Sequence, residues 1–331
     1  MKRGGRQLVL VGPNRLTLDE APSPAPGAGE VVLEVVATGI CGSDVHGYVG
    51  VNARRPPGTV MGHEVIGRVV DGGDTAAIPG QSVAVWPIAA CGACASCRDG
   101  RAHLCEARRL YGCTPELAGG FATTMIVPAE NLVPVPEGVP REWGALVEPL
   151  AVGHHAVAIA GIEPGARLTV LGGGPIGIAA AVAARRLGVQ ELVVVEPLEH
   201  RREKLAALGL PSTTPDDAPQ GVDVVVECVG HAATVHAAIA ASRPGGTVVC
   251  VGIADPEVAV PWVPLVIEER RLLGSSAYTL DEFHAVAASL AAGDVDFGLL
   301  IERRIGLDEL PAAFADYAAG RTSAIKTVMV A

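Results

Sequence analysis

Aromatic residues make up only 3% of the 331-residue chain: four Phe, four Tyr and three Trp. Its cores must therefore be filled by Val, Leu, Ile and Ala. A hydrophobic content of 49% supplies enough of these for packed domains rather than a disordered chain. Basic residues are also in deficit, with 25 Lys and Arg against 36 Asp and Glu and a net charge of -11. That balance argues against general nucleic-acid binding and against docking on an anionic membrane. An anionic small ligand at a local site is not excluded. Long apolar runs are missing too. The run 168–184 falls short of the ~20 residues that span a bilayer, and Gly172-Gly173-Gly174-Pro175 interrupts it. The start, MKRGGRQLVLVG, has charge but no apolar stretch or cleavage signal of a secretory leader. A soluble cytoplasmic protein of about two domains is expected.

The first ~150 residues carry short β-branched runs bounded by Gly and Pro, namely 30–37, 65–70, 83–86 and 124–127. They suggest a partly open barrel or sandwich. From Arg167 the rhythm changes. Strands at 167–171, 191–195, 222–227 and 247–251 alternate with helices at 176–187, 201–208 and 232–241. Such alternation means βαβ units and a parallel sheet, and strands that are apolar throughout fit a sheet covered on both faces. Helices near 283–292 and 310–319 and strands at 304–305 and 327–330 follow. The β character of the tail suggests that it rejoins the first domain.

Gly172, Gly174 and Gly177 form G-x-G-x-x-G between a strand and a helix. Each has a purpose: a tight turn, close backbone approach to a pyrophosphate, and close helix–strand packing. The helix N-terminus offers N–H groups and the positive end of a dipole to phosphate. Glu196 ends the next strand, 19 residues after Gly177, and is placed to accept ribose hydroxyls. Its carboxylate favours NAD over the 2′-phosphate of NADP. Arg201 suits stacking on adenine or softening that repulsion. A structural turn in an α/β domain is the plainer alternative.

Of eight cysteines, four crowd together as Cys91-x2-Cys94-x2-Cys97-x7-Cys105. Clustering in a long chain points to metal rather than a disulfide scaffold. Four thiolates commonly close a structural tetrahedral zinc site, with Arg98 and Arg101 nearby to offset charge. An iron–sulfur cluster or a disulfide pair remains the competitor, although the ferredoxin continuation C-x3-C-P is missing.

A second constellation is scattered: Cys41, Ser43, Asp44 and His46 after an apolar strand, His63-Glu64 about twenty residues on, and Glu148 near the end of the first domain. Thiolate, imidazole and carboxylate make up a catalytic zinc site with an open position. An interdomain cleft is where such groups are expected to meet. Taken singly, Cys41 suits a small buried hydrophobe, His63 a hydrogen-bonded core histidine, and Glu148 the end of an element.

In order along the chain, GICGSDVH, GHE, the four-cysteine lobe, AGGFA, EPLAV, GGGPIG and VVVE resemble the zinc-dependent medium-chain alcohol dehydrogenases. Glutamate in EPL is similar to the polyol, butanediol and threonine dehydrogenase branch. The resemblance implies an α/β protein with a GroES-like β-rich catalytic domain split by an inserted Rossmann domain (a doubly wound parallel sheet). The catalytic parts would be 1–150 and 290–331, and the NAD-binding part 151–289. It implies two zinc ions, one structural in the cysteine lobe and one catalytic on Cys41 and His63 with Glu64 or Glu148. Ser43 and His46 match the family's proton relay. Pro175, Ile176, Glu196, Arg201, Cys250, Val251, Gly252, Ile253, Gly274, Ser275, Ser276 and Ala277 match cofactor contacts. A homodimer or homotetramer follows by the same resemblance.

Departures are the compact 71–85 linker, GGFATTM without the usual acidic-aromatic pair, and a slightly short total. They bear on the pocket and subunit contacts and leave the chemistry intact. Tyr48, Trp86, Trp143, Tyr278 and the 54–57 loop are candidates to border the pocket. Arg54 and Arg55 would suit a carboxylate or phosphate, though a solvated loop is the plainer account. The expected reaction is reversible hydride transfer between NAD and a secondary alcohol, diol, polyol, cyclitol or amino alcohol. A zinc-free NADPH quinone or enoyl reductase, or a non-catalytic zinc- and nucleotide-binding protein, are the alternatives. The former lacks the cysteine lobe and the Cys–His–Glu set, and the latter is expected to lose a ligand or relay residue.

Overall fold

The structure is a computed structural model and describes residues 5–51, 55–163 and 165–331. The chain forms two compact units, one of Met1–Glu148 and Thr279–Ala331, the other of Pro149–Tyr278.

The first unit begins with β1 (Arg6–Gly12), β2 (Arg15–Glu20), β3 (Glu30–Gly39), α1 (Gly42–Val49), β4 (Thr59–Val60), β5 (Glu64–Asp71) and β6 (Ser82–Val85). The cysteine lobe follows, with β7 (Ile88–Ala89), α2 (Ala95–Arg98) and β8 (Arg109–Leu110), and then β9 (Thr124–Pro128) and β10 (Leu132–Pro134). A 3-10 turn, Arg141–Leu146, leads into α3 (Val147–Ala158).

The second unit alternates β11 (Arg167–Leu171), α4 (Pro175–Arg186), β12 (Glu191–Val195), α5 (Glu199–Ala207), β13 (Ser212–Thr213), β14 (Val222–Glu227), α6 (Ala232–Ala241), β15 (Ser242–Cys250), α7 (Trp262–Ile267) and β16 (Arg271–Gly274). The chain then returns through α8 (Leu280–Ser289), β17 (Ile301–Ile305), α9 (Leu310–Ala318) and β18 (Lys326–Val330). The return comes at Thr279, ahead of the expected 290, because α8 packs on β10 and buries Phe283 and Val286.

In the first unit, β2-β1-β4 form one sheet, and a larger one runs β10-β6-β5-β3-β18-β17, with β9 also on β3. Leu33, Val35, Val65, Val85 and Phe121 fill the space with Phe314 and Met329 from the return segment. Few aromatics suffice, because Phe314 meets both Tyr48 and Phe121, at ring-centroid distances of 5.4 and 5.6 Å.

The second unit is one parallel sheet, β13-β12-β11-β14-β15-β16. Strand order reverses between β11 and β14, the place where doubly wound sheets bind ligands at the carboxyl ends of their strands.

Candidate active site

Strand register assembles the scattered constellation. β3 and β5 run antiparallel with Gly39 opposite Glu64, and β18 runs antiparallel to β3 with Val328 opposite Gly39. Cys41, just past β3, therefore meets His63 and Glu64 at the start of β5. Lys326, at the start of β18, arrives beside them. One donor atom each from Cys41, His63 and Glu64 lie within 4.8 Å of one another. Sulfur, nitrogen and oxygen donors at that spacing fit zinc. Glu148 stands outside this trio but is also buried, and its charge acts on Lys326.

Buried charges surround the trio. Lys326 Nζ donates to both Glu64 oxygens at 2.7 and 2.8 Å, and to the Ile40 carbonyl at 3.2 Å. Burial works against the ammonium, but the Glu64, Cys41 and Glu148 charges raise its pKa above that of an ordinary lysine. Asp44, wholly buried, accepts the Cys41 N–H at 3.2 Å and lies 3.3 Å from His63 Nδ1. It thus holds the backbone of Cys41 and the ring of His63, as outer partners of metal sites do. Burial alone would raise its carboxyl, yet His63, Arg55 and the Cys41 N–H hold it down at about 2. Ser43 Oγ lies 3.2 Å from Cys41 Sγ. His46 is exposed three residues further along α1, on the same face.

In the cysteine lobe, the Cys94–Cys97 and Cys91–Cys97 sulfurs are 3.5 and 3.9 Å apart, and Cys105 joins them. The N–H groups of Ala93 and Cys94 pull the Cys91 thiol down to about 6. Four thiols this close fit a four-thiolate zinc site. Arg98 bonds the Ala93 carbonyl and Arg101 bonds Asp99, so both brace the loop. All eight cysteines are unpaired.

In the second unit the glycine turn has the three expected properties. Gly172 has φ +101, a Cβ on Gly174 would meet nothing within 4 Å, and one on Gly177 would stand 1.7 Å from the Gly172 carbonyl oxygen. The turn and helix N-terminus are thus open where phosphates would lie. Glu196 is buried, and its two oxygens accept the Gly173 and Leu198 N–H groups at 2.7 and 2.9 Å. Each oxygen keeps a lone pair for a ribose hydroxyl. Arg201 stands 3.7 Å from Glu196, and its Nε is buried without a partner among the described residues. Val251, Gly252 and Ile253 follow β15, and Ser275 and Ser276 follow β16, at the same end of the sheet. Ser275 Oγ is also buried and unpartnered. These orphaned groups and the open turn fit a dinucleotide.

Residues 27–137 match the family described as alcohol dehydrogenase GroES-like domain, and residues 175–292 match zinc-binding dehydrogenase. L-galactonate-5-dehydrogenase from Escherichia coli (strain K12) is 32% identical over 311 residues, 90% of each chain. Sorbitol dehydrogenase from Arabidopsis thaliana is 32% identical over 343 residues, 96% of this chain and 93% of its own. A Sinorhizobium meliloti 1021 chain solved bound to NADP is 30% identical, with a TM-score of 0.92 over 100% of both chains. The chain belongs to the zinc-dependent medium-chain alcohol dehydrogenase family. Its relatives put it in the polyol branch, and it is an oxidoreductase acting on CH–OH groups.

Several pocket candidates of this dehydrogenase have structural partners instead. Tyr48 packs on Phe314, Trp143 packs edge-on against Phe297, and Tyr278 is fully buried. Arg54 lies outside the described residues. Arg55 is not in a solvated loop: it is 6% exposed and paired with Asp44. Lys326 and Glu227 are buried charged residues that no motif singles out. Glu227 accepts the Val229, Gly230 and Thr234 donors, and its carbonyl takes the Val251 and Gly252 N–H groups, so it fixes two loops at the cofactor end of the sheet. No helix among the described residues is long and apolar enough to cross a membrane.

Proposed function

We propose that this chain is an NAD-dependent dehydrogenase that interconverts the secondary alcohol and ketone of a polyol or a sugar acid. It would use two zinc ions. Cys91, Cys94, Cys97 and Cys105 hold a structural one. Cys41 and His63, with Glu64 or Glu148, hold the catalytic one. The observation that carries this reading is the meeting of Cys41, His63 and Glu64 beside Ser43. The named relatives act on galactonate and sorbitol, which supports a polyhydroxylated substrate.

When bound, zinc supplies Lewis-acid stabilisation of negative charge on the substrate oxygen, and the dinucleotide supplies the hydride acceptor. The chain's own residues do the rest. Ser43 Oγ receives the substrate's hydroxyl proton as it gives up its own toward His46. Asp44 keeps the His63 ring fixed. Lys326 balances the charge of Glu64. Gly172, Gly174, Pro175, Ile176 and Gly177 would hold the pyrophosphate, Glu196 would accept the ribose hydroxyls, and Arg201 would stack on the adenine. Val251, Gly252, Ile253, Ser275 and Ser276 would border the nicotinamide.

Glu196 favours NAD over NADP, because its carboxylate opposes a 2′-phosphate. Eight unpaired cysteines suit a cytoplasmic enzyme. Trp262, Val263, Val266 and Ile267 of α7 are exposed apolar groups in the segment leading to edge strand β16, which suits a homodimer or homotetramer. The test is reduction of NAD⁺ and of NADP⁺ over a panel of polyols, aldonic acids, vicinal diols and amino alcohols. Turnover with a polyol or aldonic acid and preference for NAD⁺ are expected. Inertness of the zinc-replete protein across the panel would overturn the reading.

A further inference from the structure

Arg55 lies in no motif, yet it touches the heart of the site. Its guanidinium reaches Asp44 Oδ1 twice, from Nη2 at 2.9 Å and from Nε at 3.1 Å. Nη2 also donates to Ser43 Oγ at 3.0 Å, and the same nitrogen stands 3.5 Å from His63 Nδ1. The side chain reaches this place because residue 47 is glycine. A Cβ there would stand 2.3 Å from Arg55 Cδ, inside the arginine stem. Gly47 is a poor helix former within α1, and the space it leaves is the arginine's path.

A serine hydroxyl has one proton to donate and two directions in which to accept. Here the proton faces Cys41 Sγ and the Arg55 N–H fills one acceptor direction. One acceptor direction is left. We propose that Arg55 is a positioning residue: anchored on Asp44, it fixes the Ser43 oxygen so that the remaining lone pair receives the substrate's proton as the serine's own proton turns from Cys41 Sγ toward His46. This rests on Ser43 being the first proton acceptor. A planar fork holds Asp44 and Ser43 together. A lysine offers a single flexible ammonium, which neutralises Asp44 without spanning both. Charge balance alone is therefore met by lysine, and positioning is not.

Arg55→Lys and Gly47→Ala separate the two, measured in the zinc-loaded full chain with Ser43→Ala as reference. Arg55→Lys is expected to keep its melting temperature, zinc content and NAD affinity. Its kcat falls about tenfold while KM moves less than about twofold. The solvent deuterium isotope effect on kcat rises, because removal of the proton becomes slower. Gly47→Ala gives the same pattern by displacing the arginine stem. An Arg55→Lys enzyme with wild-type kcat and isotope effect would overturn the inference. So would a kcat loss that follows zinc loss, since Arg55 would then serve the metal ligands alone. Wild-type kcat in Ser43→Ala overturns the reading of Ser43 itself. An inactive Ser43→Ala beside an unaffected Arg55→Lys overturns only the role of Arg55.

Discussion

Replacing Lys326 with Met removes one half of a buried ion pair. Lys326 and Glu64 are 3% and 1% exposed, and the ammonium bonds both carboxylate oxygens. Both ions have left water, so loss of one strands the other at a cost of about 3–5 kcal/mol. At ~2–4 °C per kcal/mol for a domain of this size, the variant should melt roughly 6–20 °C lower. The folded pKa of Lys326 is raised. The pair's contribution is therefore complete below the ordinary lysine range and is lost only as pH rises through the raised value. The double variant Lys326→Met, Glu64→Gln removes both charges and should recover most of the loss. Excess zinc should recover part of it in the single variant, since a cation on Cys41 and His63 faces the stranded carboxylate. Unfolding followed by circular dichroism, with and without zinc, measures all three. A single variant as stable as wild type, or a double variant no better than the single, would mean that the Lys326–Glu64 pair does not hold the fold in this way.

Gly177→Ala puts a Cβ 1.7 Å from the Gly172 carbonyl oxygen. It should weaken NAD binding roughly 100-fold with metal content unchanged, as read by nucleotide fluorescence titration. Glu196→Ala removes the acceptor of the Gly173 and Leu198 N–H groups. It should erode the preference for NAD over NADP by about 10–100-fold in kcat/KM, the worth of a hydrogen bond to a charged group. Cys97→Ser opens the four-thiol lobe and should lose its metal together with stability, since structural zinc contributes directly to folding. Proteolysis rate and zinc content check this.

Much of the second unit is legible in the sequence, because each strand of its buried parallel sheet is a short apolar run between glycine-marked turns. The four-residue strand Arg271–Gly274 is too short to stand out, and it is recognisable only through its pairing with β15. Helix α1 is hidden for another reason. Glycines at 42 and 47 lower its propensity, and Asp44 caps the Cys41 N–H from within the first turn. The β1–β2 hairpin also escapes notice, since β2 is largely exposed and carries little hydrophobic signal.

At the site, the ligand types of Cys41, His63 and Glu64 are readable, but their meeting depends on the Gly39–Glu64 register. Lys326 lies 262 positions from Glu64, and nothing local distinguishes it from a solvated lysine. Arg55 reads as a loop cation until the gap at Gly47 gives it a buried path.

Under the proposed function, a zinc ion on Cys41 and His63 does the chemistry while the four-cysteine lobe only supports the fold. Zinc per chain, measured together with turnover in wild type and Cys41→Ser, tests it most directly. Wild type should carry two zincs, and Cys41→Ser should carry one, fold normally, bind NAD and turn over nothing. A Cys41→Ser protein that still oxidises substrate with zinc only in the cysteine lobe would mean that the chemistry needs no metal at Cys41.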